Sequence, residues 1–305
     1  MHKTKSAFAA FILLIPLVAS GQNNRSAVSV TGSDAATCTV PDPCRTFGTA
    51  LSKTNLGGEV IALSSGGYGP FNVTQAATIV SPSGIYAAIS SSSSSPVAIY
   101  VSTPSGQSVV LRGLYLNGSL GGVAGVYVST AGTITYVEHM VIANYTSDGD
   151  EGVRNGDGDV RVTDSLIRNN YHGILLTHDT NTARSRATID HCRLEGNTAG
   201  VSLSNLSDAT VSNTLFAGNF RGVSIDGTPP VDGRATIKDS VITQNSVGIF
   251  AISSSAIVRV ARSLITQNTR YALDIQQGAQ ATSAGNNVMI DNAANETFTS
   301  TFGLK

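Results

Sequence analysis

Five carboxylates gather around one basic residue in a short stretch of this chain: Asp148, Asp150 and Glu151 precede Arg154, and Asp157 and Asp159 follow it. Oxygen-rich turns broken by glycine suit Ca2+, and a basic residue beside a bound ion could take a proton from a substrate, the pairing an elimination reaction needs. The spacing misses the EF-hand pattern, however, and Asp-Gly and Asn-Gly pairs are also ordinary turn chemistry. Two readings therefore stand side by side. Either Asp148, Asp150, Glu151, Asp157 and Asp159 hold Ca2+ with Arg154 as the candidate catalytic group, or the segment is a solvated acidic loop.

Other reactive side chains point elsewhere. Asp190-His191 falls in a turn column shared by Asp164, Asn213, Asp239 and Arg262, which reads as a solvated or capping position. Cys192 stands where neighbouring copies of a repeat carry Ser165, Thr214, Ser240 and Ser263, so it is a small structural residue and not a nucleophile. His139 and His178 have no evident partner. Six Asn-x-Ser/Thr sequons occur, as expected by chance in a chain so rich in these residues.

The element that must position any of these groups is a repeat of twenty-odd residues. Asn144, Asn170, Asn197, Asn219, Asn245, Asn268 and Asn292 each close a near-copy of one phrase, as in SVITQNSVGI and SLITQNTRYAL. Short β-prone runs at this period predict a solenoid, because one unit cannot bury its apolar face alone. Aligned on the asparagine, three apolar columns appear. Val162, Ile189, Val211, Ile237 and Val260 stand eight residues before it, and Val141, Ile167, Leu194, Phe216, Ile242, Ile265 and Met289 three before it. Ile174, Val201, Val223 and Ile249 follow by four, with Leu176, Leu203, Ile225 and Ala251 two further on. Pairs two apart are the strand signature, so each coil is expected to hold three short strands, with room for roughly ten coils between residues 58 and 292. The asparagines are expected to take the left-handed backbone of a turn and to stack their amides into a ladder.

The outward residue between the last inward pair reads Tyr127, Arg154, Leu175, Ser202, Ser224, Phe250 and Asp274. No adjacent coils supply there the acid and base carboxylates that glycoside hydrolysis needs. Tyr127, Arg154 and Phe250 are instead the stacking and hydrogen-bonding groups that sugars favour.

At 305 residues, 41% hydrophobic and 13% charged, the chain can bury a full core, and its net charge of -1 argues against capture of nucleic acid or anionic membrane. Residues 1–21 read as a secretory signal, with a basic start, an apolar stretch from Ala7 to Val18 and the small-residue site Ala19-Ser20-Gly21. No later apolar segment is long enough to span a bilayer. Export to the extracellular space or periplasm follows. Cys38 and Cys44 flank the turn Thr39-Val40-Pro41-Asp42-Pro43, which favours a local disulfide, with free thiols or a metal site as alternatives. Residues 22–57 are expected to form an N-terminal cap with a short helix in Arg45 to Lys53. Residues 293–305, with Phe298, Phe302 and Leu304, either cover the other end or mark an edge where subunits meet.

With the coils laid out, the chain resembles the right-handed parallel β-helix superfamily, the pectate-lyase-like fold, and its exported bacterial members. The resemblance covers Val28 to Asn292 and is most specific in VSVTGSDAATCTVPDPCRTFGTAL, GGEVIALSSGGYGPF, ATIDHCRLEGNTAGVSL and ATIKDSVITQNSVGIFA. It implies an all-β, single-stranded solenoid in which the GVSL-type strand belongs to the face that carries catalysis and polysaccharide binding in enzymes of the group. Tyr171-His172-Gly173 slightly resembles the Gly-His-Gly of polygalacturonases, but residue 171 is Tyr and the paired aspartates are missing. The fold implies no single activity. A polysaccharide or surface polymer bound without catalysis is the favoured expectation, with a Ca-dependent lyase or glycoside hydrolase, or an adhesion or structural module, as alternatives.

Overall fold

The computed structural model describes residues 22–179, 184–226, 232–295 and 297–303. The proposed signal segment and Leu304 lie outside the described residues. The chain winds into a right-handed parallel β-solenoid whose strands form three sheets of 12, 10 and 9 strands. One coil runs Asp159–Thr163 in the first sheet, Leu166–Arg168 in the second and His172–Leu176 in the third. Each strand then pairs in parallel with its equivalents in the preceding and following coils. The solenoid makes about eight turns, slightly fewer than the roughly ten that the period allows.

Pleating sends alternate side chains inward, and apolar residues recur there because each strand is buried on its inner face only. Ile142, Ile167, Leu194, Phe216, Ile242 and Ile265 form one continuous buried column. Val162, Ile189, Val211, Ile237 and Val260 form a second, and Val153, Ile174, Val201, Val223 and Ile249 a third.

The corner between the second and third sheets carries the amide ladder. Asn197 Nδ2 donates to Asn219 Oδ1 at 3.0 Å, Asn219 to Asn245 at 3.0 Å, and Asn245 to Asn268 at 3.0 Å. Each Oδ1 also accepts the backbone N–H of the preceding rung, as Asn245 Oδ1 does from Asn219 N at 2.9 Å. Two expectations need correction here. The left-handed residue of the corner is not the asparagine but the one before it: Asn169, Gly196, Gly218, Gln244 and Gln267 have φ between 53° and 65°. The ladder asparagine aims its peptide N–H at the amide of the following coil, as Asn197 N does at Asn219 Oδ1 and Asn245 N at Asn268 Oδ1. Asn144, with φ 69°, is likewise a corner residue and not a rung. Tyr145 fills the rung, fully buried, its N donating to Asn170 Oδ1 at 3.1 Å and its hydroxyl accepting from Ser91 Oγ. Gly118 makes room, since a Cβ there would lie 2.5 Å from the Tyr145 ring. The same offset makes Ile142, not Val141, the inward residue of that coil.

A second ladder runs at the corner between the first and second sheets. Met140 N donates to Ser165 Oγ, Thr214 N to Ser240 Oγ and Ser240 N to Ser263 Oγ. Cys192 occupies this column, its Sγ turned to the Val162 and Asp190 carbonyls. Burial pushes its thiol up to about 12, so it stays protonated and unreactive.

A helix, Phe47–Ser52, closes the N-terminal end. Thr46 caps it by accepting the Thr49 N–H, and Phe47 packs its ring 5.1 Å from Tyr68 and 5.0 Å from Phe71. Cys38 and Cys44 are joined by a disulfide beside it. At the other end Phe298 packs against the core, and Ser300–Thr301 pairs with the last long strand of the first sheet. No helix among the described residues is long and apolar enough to cross a membrane.

Candidate functional site

The outer face of the third sheet holds two parallel rows of side chains. The first is the anticipated one, Tyr127, Arg154, Leu175, Ser202, Ser224, Phe250 and Asp274, in unbroken register and extended by Tyr100 in the preceding coil. The second lies three residues earlier in each strand and includes Glu151, His172, Ala199 and Arg221. Strict alternation would turn these inward. The glycine after each of them breaks the alternation, and a Cβ at Gly152, Gly173, Gly200 or Gly222 would lie 2.5–2.6 Å from the next coil's glycine carbonyl. The ladder pairing skips that residue, and both rows emerge on one face.

Arg154 is the hub of the first cluster. Its Nη1 donates to Glu151 Oε1 at 3.1 Å and its Nη2 to Asp179 Oδ1 at 3.0 Å. The guanidinium stacks 5.0 Å from the centroid of Tyr127, whose hydroxyl donates to Asp179 Oδ2 at 2.6 Å and whose ring meets the edge of Tyr100. Burial and the Asp179 bond push the Tyr127 phenol up to about 12, so it remains a donor. Glu151 is only 2% exposed, and its Oε2 makes no hydrogen bond. Burial raises it to about 7 against the pull of the Arg154 charge.

Arg221 organises the second cluster. Its guanidinium lies 3.7 Å over Phe250 and 5.8 Å from Phe220, pairs with Asp226, and donates to Ser224 Oγ at 3.3 Å. Between the clusters His172, edge-on to Tyr171, has a buried Nδ1 without a hydrogen bond, and burial lowers its pKa although Asp226 and Asp148 oppose this. The small side chain of Ala199 leaves a hollow of about 160 Å3 bounded by Tyr171, His172, Thr198, Phe220, Arg221 and Asp226.

The structure brings Tyr127 and Arg154 into contact and places Phe250 on the same row beside Arg221. It does not gather the five carboxylates. Asp148 and Asp150 lie before the strand Glu151–Asn155, where Asp150 accepts from Ser147 N, and Asp157 and Asp159 lie beyond its far end. Among the described residues no group of three or more Asp, Glu, His or Cys side chains is placed to hold a metal. Asn155, facing inward where the next coil has Leu176, binds Gly158 O, Arg186 O and Gly158 N and so shapes the turn that carries Asp157. Sequence reasoning overlooked Arg221, Asp226 and Asp179 and gave His172 no role. The signal available for Arg221 and His172 was their place directly before the repeating glycine. Asp179 had no periodic signal.

Residues 98–294 match the family described as right-handed β-helix region, and the chain belongs to it. No curated protein sequence matches the chain. Among solved structures it is similar to an alginate lyase from Paenibacillus sp. str. FPU-7, with 15% identity and a TM-score of 0.66 over 88% of this chain and 98% of that one. It is similar to pectate lyase Pel9A, with 15% identity and a TM-score of 0.60 over 90% and 80%. XylC, solved in complex with xylose, gives 9% identity and a TM-score of 0.57 over 85% and 68%. At these identities the likeness is one of fold.

Proposed function

We propose that the protein is exported and binds a polysaccharide or related surface polymer along the outer face of the third sheet. The observation that carries this reading is the pairing of arginines with aromatic rings on one face, Arg154 with Tyr127 and Arg221 with Phe250, either side of the hollow at Ala199. The guanidinium and hydroxyl groups bond sugar oxygens, Tyr127 adds aromatic surface, and Phe250, 6% exposed beneath Arg221, supports that guanidinium from below. The repeat presents such groups along the direction a polymer would run. Two similar structures carry names of enzymes acting on polysaccharides, which supports the same substrate class. The Cys38–Cys44 disulfide supports an oxidising compartment, extracellular or periplasmic.

A second reading, elimination by a lyase, is favoured by Glu151, a carboxyl poised near neutrality beside Arg154 and Tyr127. Affinity gels cast with acidic or neutral polysaccharides, with and without Ca2+, separate the readings when combined with the absorbance of unsaturated products. Retardation without products is the expected result. Arg221→Ala should weaken it about tenfold, the loss of one charged contact on a sugar, and Phe250→Ala should weaken it in the same direction by removing the ring on which that guanidinium rests. Products lost in Glu151→Gln would establish the lyase, and neither retardation nor products with any polymer would overturn both.

A further inference from the structure

The Asp179 carboxylate occupies a receptor built by other parts of the chain. Its two oxygens are gripped separately, Oδ1 by Arg154 Nη2 at 3.0 Å and Oδ2 by Tyr127 OH at 2.6 Å. These donors stand on two successive strands of the face, while Asp179 comes from the connection after a third, 25 and 52 residues away along the chain. One backbone bond, from Asp179 N to Asp157 Oδ1 at 3.2 Å, also anchors it. Gly156 leaves the space the carboxylate fills, because a Cβ there would lie 2.2 Å from Asp179 Oδ2 and 2.9 Å from its Cγ. The backbone of Gly156 is not in the left-handed region, so the missing side chain is explained by the seated carboxylate and not by its own conformation.

We propose that Tyr127 and Arg154 form a carboxylate-binding subsite which Asp179 fills from within, and that a carboxylate-bearing sugar residue enters by displacing it. The inference rests on the polysaccharide reading and deepens it, naming the ligand chemistry and a built-in competitor. A planar guanidinium and a phenol donor spaced for two oxygens of one carboxylate would serve a uronate as they serve Asp179. Arg154 keeps 31% of its side chain exposed and Asp179 26%, so the exchange can begin from solvent. A tethered carboxylate competes at an effective concentration in the millimolar range, and external affinity falls in proportion to the fraction of molecules in which the subsite is closed.

The test is calorimetric titration of the purified protein with D-glucuronate, and with glucose as the uncharged counterpart. Asp179→Ala and Gly156→Ala reach the same end by different routes, the first by removing the competitor and the second by evicting it. Each is expected to bind glucuronate about tenfold more tightly than the parent, corresponding to a subsite closed about nine-tenths of the time. Glucose affinity should not change, and Asp179→Ala combined with Arg154→Ala should lose the gain. Equal glucuronate affinity in the parent and both variants overturns the proposal, as does a gain that survives removal of Arg154 or is shared by glucose. Failure of both single variants to fold, read from their circular dichroism, overturns it too, since Asp179 would then be a structural clasp. A gain for glucuronate without retardation in any polysaccharide gel would instead remove the polymer reading and leave the subsite standing.

Discussion

Asn219→Ala is expected to lower unfolding free energy by about 4 kcal/mol, while Asn144→Gly should cost less than about 1 kcal/mol. The two residues look alike in a sequence aligned on asparagine, and their surroundings separate them. Asn219 is 2% exposed. Its Nδ2 donates to Leu194 O at 2.9 Å and Asn245 Oδ1 at 3.0 Å, and its Oδ1 accepts from Asn197 N at 2.9 Å and Asn197 Nδ2 at 3.0 Å. Alanine removes all four bonds and leaves donors and acceptors of two coils in a space sealed from water, each costing about 1–3 kcal/mol. A ladder also links its members, so the loss propagates to the rungs on either side. Asn144 makes one side-chain bond, Nδ2 to Asn117 Oδ1 at 3.2 Å, in a half-buried corner. Glycine keeps its positive φ without strain. Urea unfolding midpoints of the two variants decide the matter, and similar losses in both would return Asn144 to the ladder.

The reason this distinction was hidden bears on what a repeat can reveal. The apolar columns were legible because one inward residue per strand is a strong signal repeated many times, and the outward row from Tyr127 to Asp274 followed from it. The register of the coil containing Asn144 was not, because Val141, Ile142 and Ala143 are all apolar and satisfy either alignment. The row of Glu151, His172 and Arg221 was lost for a different reason. Counting by twos assigns these residues to the interior, and only the close approach of successive glycine backbones shows that the alternation is broken. Asp179 was beyond reach altogether. Its position depends on how a non-repeating connection folds over the face, and no spacing encodes that.

Glu151 makes the second large effect one of pH. A carboxyl with an ordinary value of 4.5 stands at about 7 in the folded protein, so between those values the folded state binds the proton that the unfolded state has released. Stability from this group is therefore full below pH 4.5 and is lost as pH rises through 7. The difference between the two pKa values amounts to roughly 3 kcal/mol. Asp190, held at about 2 by Ser212, and Asp34, Asp42, Asp232 and Asp239, also lowered, act in the opposite sense but below this window. His172, lowered by burial, opposes it within the window, so the quantity to measure is the difference between the parent and Glu151→Gln. That difference should shift by about 3 kcal/mol in favour of the glutamine variant between pH 4.5 and pH 8, read from urea midpoints. Parallel curves would mean that Glu151 titrates normally. Arg154 links this to binding. At pH 8 the ionised Glu151 offsets the guanidinium charge, whereas at pH 5 the neutral carboxyl no longer does. With the internal competitor removed in Asp179→Ala, an external carboxylate should then bind the face more tightly at pH 5 than at pH 8, and adding Glu151→Gln should hold the tighter affinity at both.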